Sequence, residues 1–144
     1  MAKAVFSHNA QTIATASFDK TARTRDAKTG QEKMRLVGHE ERISDIQFSP
    51  DGRLLATSSW DNTARLWNAS TGQEVTRLSG NTNRISSIAF SPDGASLAVA
   101  SADGTTVLYE VDVRKVVAQA KSRVIRAFTC AERKQYLHDE SVCP

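Results

Sequence analysis

The chain has 144 residues, of which 40% are hydrophobic and 24% charged, with 19 basic side chains against 16 acidic ones and a formal net charge of +3. This is the composition of a globular domain with one ordinary core, and no run approaches the roughly 18 apolar residues needed to cross a bilayer. The basic surplus is small and lacks the dense stripe interleaved with aromatics that a nucleic-acid surface requires, so neither a nucleic-acid nor a membrane partner is expected.

In chain order, Met1 to Ala10 carries a single lysine and no apolar core, so it is not a secretory signal and a cytoplasmic location is expected. The first strand follows almost at once. The anchors Phe6-Ser7, Ser17-Phe18-Asp19 and Thr29-Gly30-Gln31-Glu32 then return at a constant step of 42 residues, as Phe48-Ser49, Ser59-Trp60-Asp61 and Thr71-Gly72-Gln73-Glu74. Two of them return once more, as Phe90-Ser91 and Ser101-Ala102-Asp103. Several independent anchors sharing one period define an internal repeat.

The middle unit reads most clearly. Ile43 to Phe48 is a β-rich run, and Ser49-Pro50-Asp51-Gly52 places proline and glycine for a tight turn. Leu54 to Ser59 is a second strand, Trp60-Asp61-Asn62 a short turn, and Thr63 to Trp67 a third strand. Asn68 to Gly72 turns the chain into a more polar edge strand, Glu74 to Leu78. Four short strands per repeat of this length make the blade of a β-propeller. In the third unit, Arg114 to Ala120 is expected to be the closing strand. Beyond it Thr129 and Glu132 form a capping box for a helix of about Cys130 to His138.

The residues Gly38-His39, Phe48-Ser49-Pro50-Asp51-Gly52 and Ser59-Trp60-Asp61-Asn62-Thr63-Ala64-Arg65-Leu66-Trp67-Asn68 closely resemble the WD-repeat consensus, and the resemblance runs from about residue 4 to 120. It implies an all-β fold: a partial β-propeller of three four-stranded antiparallel blades at about 1–41, 42–83 and 84–120, with a tail at 121–144 holding the short helix. It also implies a hydrogen-bonded brace made of His39, Ser59, Asp61 and Trp67. Its chemistry is sound, since a buried indole N–H needs an acceptor and an imidazole can both donate and accept. The other blades depart from the pattern. Gly80-Asn81 replaces Gly-His ahead of the third, Ser7-His8-Asn9-Ala10 replaces the turn motif of the first, and Arg25 stands at the aromatic position, where it does not suit a core slot. The tail, Ala120 to His138 and the closing Cys143-Pro144, resembles that of bacterial WD-repeat proteins in which the propeller follows a signalling NTPase or protease-like domain.

No catalytic, metal or cofactor site is expected. The chain has no G-x-S-x-G elbow and no phosphate-binding loop. Cys130, His138 and Cys143 lack the paired spacing of zinc ligands, and Asp19, Asp61 and Asp103 suit turns that hydrogen-bond their own backbone. The expected function is a protein–protein interaction scaffold. In WD-repeat proteins the turn holding Trp60 faces the ring surface that meets partners, and local packing against a neighbouring loop is the alternative for this side chain. Phe18 shares that position one blade earlier, and Arg42 and Arg84 repeat ahead of the first strands, either on the same mouth of the ring or as ordinary solvated charges. Three blades cannot close a ring, so each terminal blade should expose an apolar face of on the order of 800 Å2. Missing blades of a longer protein, of which this chain is the C-terminal part, or a second copy completing the ring would cover those faces. A regulatory segment of a signalling NTPase or protease is the alternative.

Overall fold

The computed structural model describes residues 2–111 and the backbone of one further strand, Arg123–Ala127. Twelve strands form three separate four-stranded antiparallel sheets. Blade one holds β1 (Lys3–Phe6), β2 (Thr12–Ala16), β3 (Thr21–Asp26) and β4 (Glu32–Val37). Blade two holds β5 (Ile43–Phe48), β6 (Leu54–Ser59), β7 (Ala64–Asn68) and β8 (Glu74–Leu78). Blade three holds β9 (Ile85–Phe90), β10 (Ser96–Ser101), β11 (Thr106–Glu110) and β12 (Arg123–Ala127). Each sheet is an up-and-down meander in sequence order.

The closing strand of blade three differs from expectation. It is Arg123–Ala127, paired with β11 through Leu108↔Arg126 and Tyr109↔Val124, so the sheet reaches past 120 into the segment read as tail. The register confirms its equivalence to β4 and β8. The third and fourth strands of every blade slip at the same repeat position, between Thr24 and Arg25, Leu66 and Trp67, and Leu108 and Tyr109. The helix expected at 130–138, the strand expected at 114–120 and the cysteines all lie outside the described residues.

The core lies between blades rather than within them. Alternation along a strand gives each sheet two faces, and every residue of β6 is buried because blade two is covered on both. On one side Ile43, Ile46, Leu55 and Trp67 cluster with Ala14, Ala16, Ala22 and Leu36 of blade one. On the other, Leu54, Ala56, Ala64, Leu66 and Leu78 meet Ile85, Ile88, Leu97, Val99, Tyr109 and Val111 of blade three. Size is balanced across the two seams. The large Trp67 faces a blade whose contribution is mainly alanine, while the smaller Tyr109 faces leucines, which is how a core reaches close packing.

The inner strands are laced together by polar groups at equivalent positions. Asp45 on β5, 4% exposed, accepts from the ammonium of Lys3 on β1 at 2.6 Å and from the Ser87 hydroxyl and Ile88 N–H on β9 at 3.0 and 3.1 Å. A buried carboxylate must be paired to be tolerated, and here one carboxylate serves three blades.

The outward face of blade one is not the apolar surface expected of an open blade. It carries Thr15, Arg23, Arg25, Glu32 and Arg35, joined by ion pairs Arg25–Glu32 at 3.6 Å and Arg35–Glu32 at 3.2 Å, while Arg23 reaches Asp19 at 2.9 Å. Arg25 therefore stays at the surface, its side chain 39% exposed, and replaces the core aromatic with a solvated ion cluster. The face is apolar at its two ends, where Phe6 is 64% exposed opposite Ile13 and Val37 is 67% exposed opposite Thr21.

The turn that looked eroded in blade one keeps its shape. Ala10 takes φ 56°, beside 73° and 72° at Gly52 and Gly94 one and two repeats on. Asn9 accepts from the Ser7 hydroxyl at 2.8 Å, as Asp51 does from Ser49 at 2.6 Å. An asparagine carbonyl does the work of the carboxylate, and an alanine tolerates a left-handed conformation that glycine adopts without strain.

Candidate functional site

Two constellations carry the residues singled out from sequence, one buried and one on the surface. The buried one is the brace of blade two. The Asp61 carboxylate accepts from His39 Nδ1 at 2.9 Å, from the Glu40 and Thr63 backbone N–H groups at 3.0 and 2.9 Å, and from the Thr63 hydroxyl. Burial works to raise the carboxyl's pKa, but these donors outweigh it and hold Asp61 well below the usual carboxylate range. An ionised Asp61 keeps the His39 proton on Nδ1, so Nε2 is an acceptor. It receives the Thr57 hydroxyl proton at 2.8 Å, and Thr57 Oγ1 in turn accepts from Trp67 Nε1 at 2.9 Å.

The hydroxyl in this chain is therefore Thr57, not Ser59. Both lie on the face of β6 turned toward blade one, but Leu55 stands directly opposite Trp67. Thr57 is one same-face step from Leu55 and Ser59 two, roughly 13 Å along the strand at the usual rise, beyond reach of the indole. Ser59 does other work. Its hydroxyl donates to the Arg42 and Glu41 carbonyls at 2.9 and 3.0 Å and accepts from the Asp61 N–H.

An acid–imidazole–hydroxyl chain invites comparison with a catalytic triad. Here Thr57 is fully buried and its oxygen already serves both His39 and Trp67, so it is not accessible to a substrate. The brace is weaker in blade three, where Val99 stands in the place of Thr57: Thr105 still donates to Asp103, but the chain from imidazole to indole is reduced to one bond from Asn81 Nδ2 to the Tyr109 hydroxyl, at 3.4 Å.

The surface constellation gathers the other four predicted residues. The Arg42 guanidinium lies over the Phe18 ring, 5.4 Å from its centroid, and over the Trp60 ring at 4.0 Å. Arg84 lies over the same Trp60 ring at 4.6 Å. Phe18, Arg42, Trp60 and Arg84 thus form one ladder across the three blades, and the reading of the arginines as independent solvated charges does not hold. Both aromatics are open to solvent, 56% at Phe18 and 37% at Trp60.

The backbone explains the placement. The Arg42 carbonyl accepts from the Trp60 N–H at 3.0 Å as well as from Ser59, and one repeat on the Arg84 carbonyl accepts from the Ala102 N–H at 2.9 Å and from Ser101. Each arginine is pinned beside the turn that follows the second strand. The turn aspartates stiffen the same loops. Hydrogen bonds from the Thr21 hydroxyl and backbone lower the Asp19 pKa to about 2, and the equivalent bonds from Thr105 do the same for Asp103.

Sequence reasoning missed Thr57, Asp45 and a repeated ion pair. Arg65 meets Glu74 at 2.6 Å, and Arg23 approaches Glu32 at the equivalent positions of blade one. The 42-residue step was the available signal, since it aligns both pairs. Among the described residues no group of three His, Cys, Asp or Glu side chains gathers as metal ligands would, and no helix is long and apolar enough to cross a membrane.

A search of curated proteins finds no match to this chain. The family profile described as WD domain, G-beta repeat matches residues 30–68 and 72–110, just over half of the chain. Each matched unit joins the fourth strand of one blade to the first three of the next, so the sequence repeat straddles the structural one. Domains of this kind are generally non-catalytic interaction modules, and with three such sheets in place the chain belongs to the WD-repeat family.

Proposed function

We propose that the chain is a protein-interaction scaffold with no catalysis of its own, and that its contact surface is the ladder of Phe18, Arg42, Trp60 and Arg84. The observation that carries this reading is two solvent-exposed aromatics held on one face by two arginines, a hot-spot composition for protein contacts. None of the four is needed to fill a seam between blades, since the buried clusters are complete without them. A scaffold of this kind works as part of a larger assembly, supplied by further blades of a longer polypeptide or by another subunit. Affinity capture from a cell extract, comparing the unmodified chain with Trp60→Ala and Arg42→Glu, tests the surface. The expected result is loss of the same captured protein in both variants. Undiminished capture in both refutes the assignment.

A further inference from the structure

We infer that Arg42 and Arg84 form a receptor for an acidic peptide, whose carboxylate or phosphate groups meet the two guanidiniums beside Trp60. The inference rests on the contact surface proposed above and names the chemistry of what meets it. Both guanidiniums lie over one indole, so two positive charges are set beside the same exposed aromatic ring. Most other arginines of the described residues have a carboxylate: Arg23 has Asp19, Arg25 and Arg35 share Glu32, and Arg65 has Glu74. Arg42 and Arg84 have neither an ion pair nor a side-chain hydrogen bond; their contacts are with aromatic faces. A guanidinium held against an aromatic face with no hydrogen bond of its own keeps N–H donors for a partner, and a guanidinium can receive a carboxylate or phosphate in bidentate fashion.

Most acidic groups nearby are engaged elsewhere, and among the described residues none forms an ion pair with Arg42 or Arg84. Asp19 is held by Arg23 and Thr21, Asp61 by His39 and Thr63, and Asp103 by Thr82 and Thr105. Glu41 faces Lys20 at 4.0 Å, and Glu40, two residues before Arg42, forms no ion pair with either guanidinium. Two like charges beside one ring and without a counter-ion attract an anion from outside. The exposed Phe18 ring at the end of the ladder gives an apolar residue of the same peptide a place to lie.

The test uses the full chain and three labelled synthetic peptides of equal length that share their apolar residues. One carries aspartate and glutamate, the second phosphoserine, and the third only asparagine, glutamine and serine at those positions. Fluorescence anisotropy should show at least one anionic peptide binding about tenfold tighter than the neutral one, with affinity falling as salt is added. Arg42→Gln and Arg84→Gln should each lower anionic binding about tenfold, and the lysine variants should retain part of it. Preference between carboxylate and phosphate identifies the source of the anion. Equal binding of the neutral peptide, lost on Trp60→Ala, overturns the inference while the contact surface stands. Anionic binding untouched by all of the substitutions overturns both. If none of the peptides binds, the inference fails and the surface is judged by the capture experiment.

Discussion

Thr57 is the residue on which the middle blade's brace turns, and replacing its hydroxyl by a methyl isolates that role. Thr57→Val keeps the shape of a fully buried side chain, but leaves Trp67 Nε1 without its acceptor and His39 Nε2 without its donor. A buried polar group stripped of its partner costs about 1–3 kcal/mol, so two of them should cost about 2–6 kcal/mol, a large share of the stability of an ordinary domain. Thr57→Ser keeps the hydroxyl and loses one methyl group, about 1 kcal/mol. Ser59→Ala should cost about 1–2 kcal/mol, because the Asp61 N–H and Glu41 carbonyl lose a partner while the Arg42 carbonyl keeps its bond from the Trp60 N–H. Urea unfolding of the full chain, followed by far-ultraviolet circular dichroism and by Trp67 emission in a Trp60→Phe background, ranks the three. A rescue sharpens the test. Adding His39→Asn and Trp67→Tyr to Thr57→Val recreates the set that blade three uses, Asn81, Val99 and Tyr109, and should recover part of the loss. If Thr57→Val falls within about 0.5 kcal/mol of the unmodified chain, or Ser59→Ala costs more, the assignment of the hydroxyl is wrong.

The remaining predictions concern pH, strain, a close approach and the outward face. Asp19, Asp61 and Asp103 all have folded pKa values depressed from 3.8, so their contribution to stability is complete above about pH 4 and is lost as pH falls toward 2 and below. Midpoints of urea unfolding measured from pH 7 to pH 2 should stay level and then drop, less steeply in Asp61→Asn; a loss that begins above pH 5 would point to other groups. Ala10→Gly should stabilise by about 0.5–1 kcal/mol in the same assay, because Ala10 holds a positive φ; a destabilisation would show that unfolded-chain entropy dominates there. A side chain at Gly38 would collide with the Arg65 guanidinium and displace it from Glu74. Gly38→Ala should therefore cost about 1–2 kcal/mol in the native background and clearly less with Arg65→Ala, a coupling that a double-mutant cycle measures. Arg25→Trp should leave monomer stability unchanged and promote self-association seen by light scattering, since it puts an indole on a solvent-facing ion cluster; a monomer stabilised by 2 kcal/mol or more would mean the indole had found a core slot.

The all-β architecture was legible from spacing because a repeat gives the same signal several times over. Phe6, Phe48 and Phe90 fix the step, and every turn and strand then aligns to it. The closing strand of blade three was misplaced at 114–120 because both stretches are β-prone, and nothing local distinguishes them. What does distinguish them is the register slip shared by Arg25, Trp67 and Tyr109, a property of paired strands. The substitution of Ser59 for Thr57 has a related origin. The two hydroxyls lie on one face of one strand, and only the cross-strand register with Trp67 tells which is within reach. The expectation of an apolar outer face on blade one failed because it was drawn from the average interface rather than from Arg23, Arg25 and Arg35 themselves, which already announced a charged one.

The three blades also act as replicates of one design, and comparing them separates structure from function more firmly than any single blade does. Ser17, Ser59 and Ser101 and Asp19, Asp61 and Asp103 are the same in every copy; Ser17, Ser59 and the three aspartates accept from backbone N–H groups of their own loops, and Ser59 and Ser101 donate to the Arg42 and Arg84 carbonyls. Invariance there has a sufficient cause in the turn. The position between them is free of that duty and drifts from Phe18 to Trp60 to Ala102. Arg42 and Arg84 fit neither pattern. They recur one step apart, yet it is their carbonyls that serve the fold, and any residue supplies a carbonyl. Their side chains are exposed and have no carboxylate partner, and they converge on the one turn where the drifting position has become tryptophan. A cation that repeats without a structural task, beside an aromatic that the fold does not ask for, is the pattern that the proposed contact surface would leave.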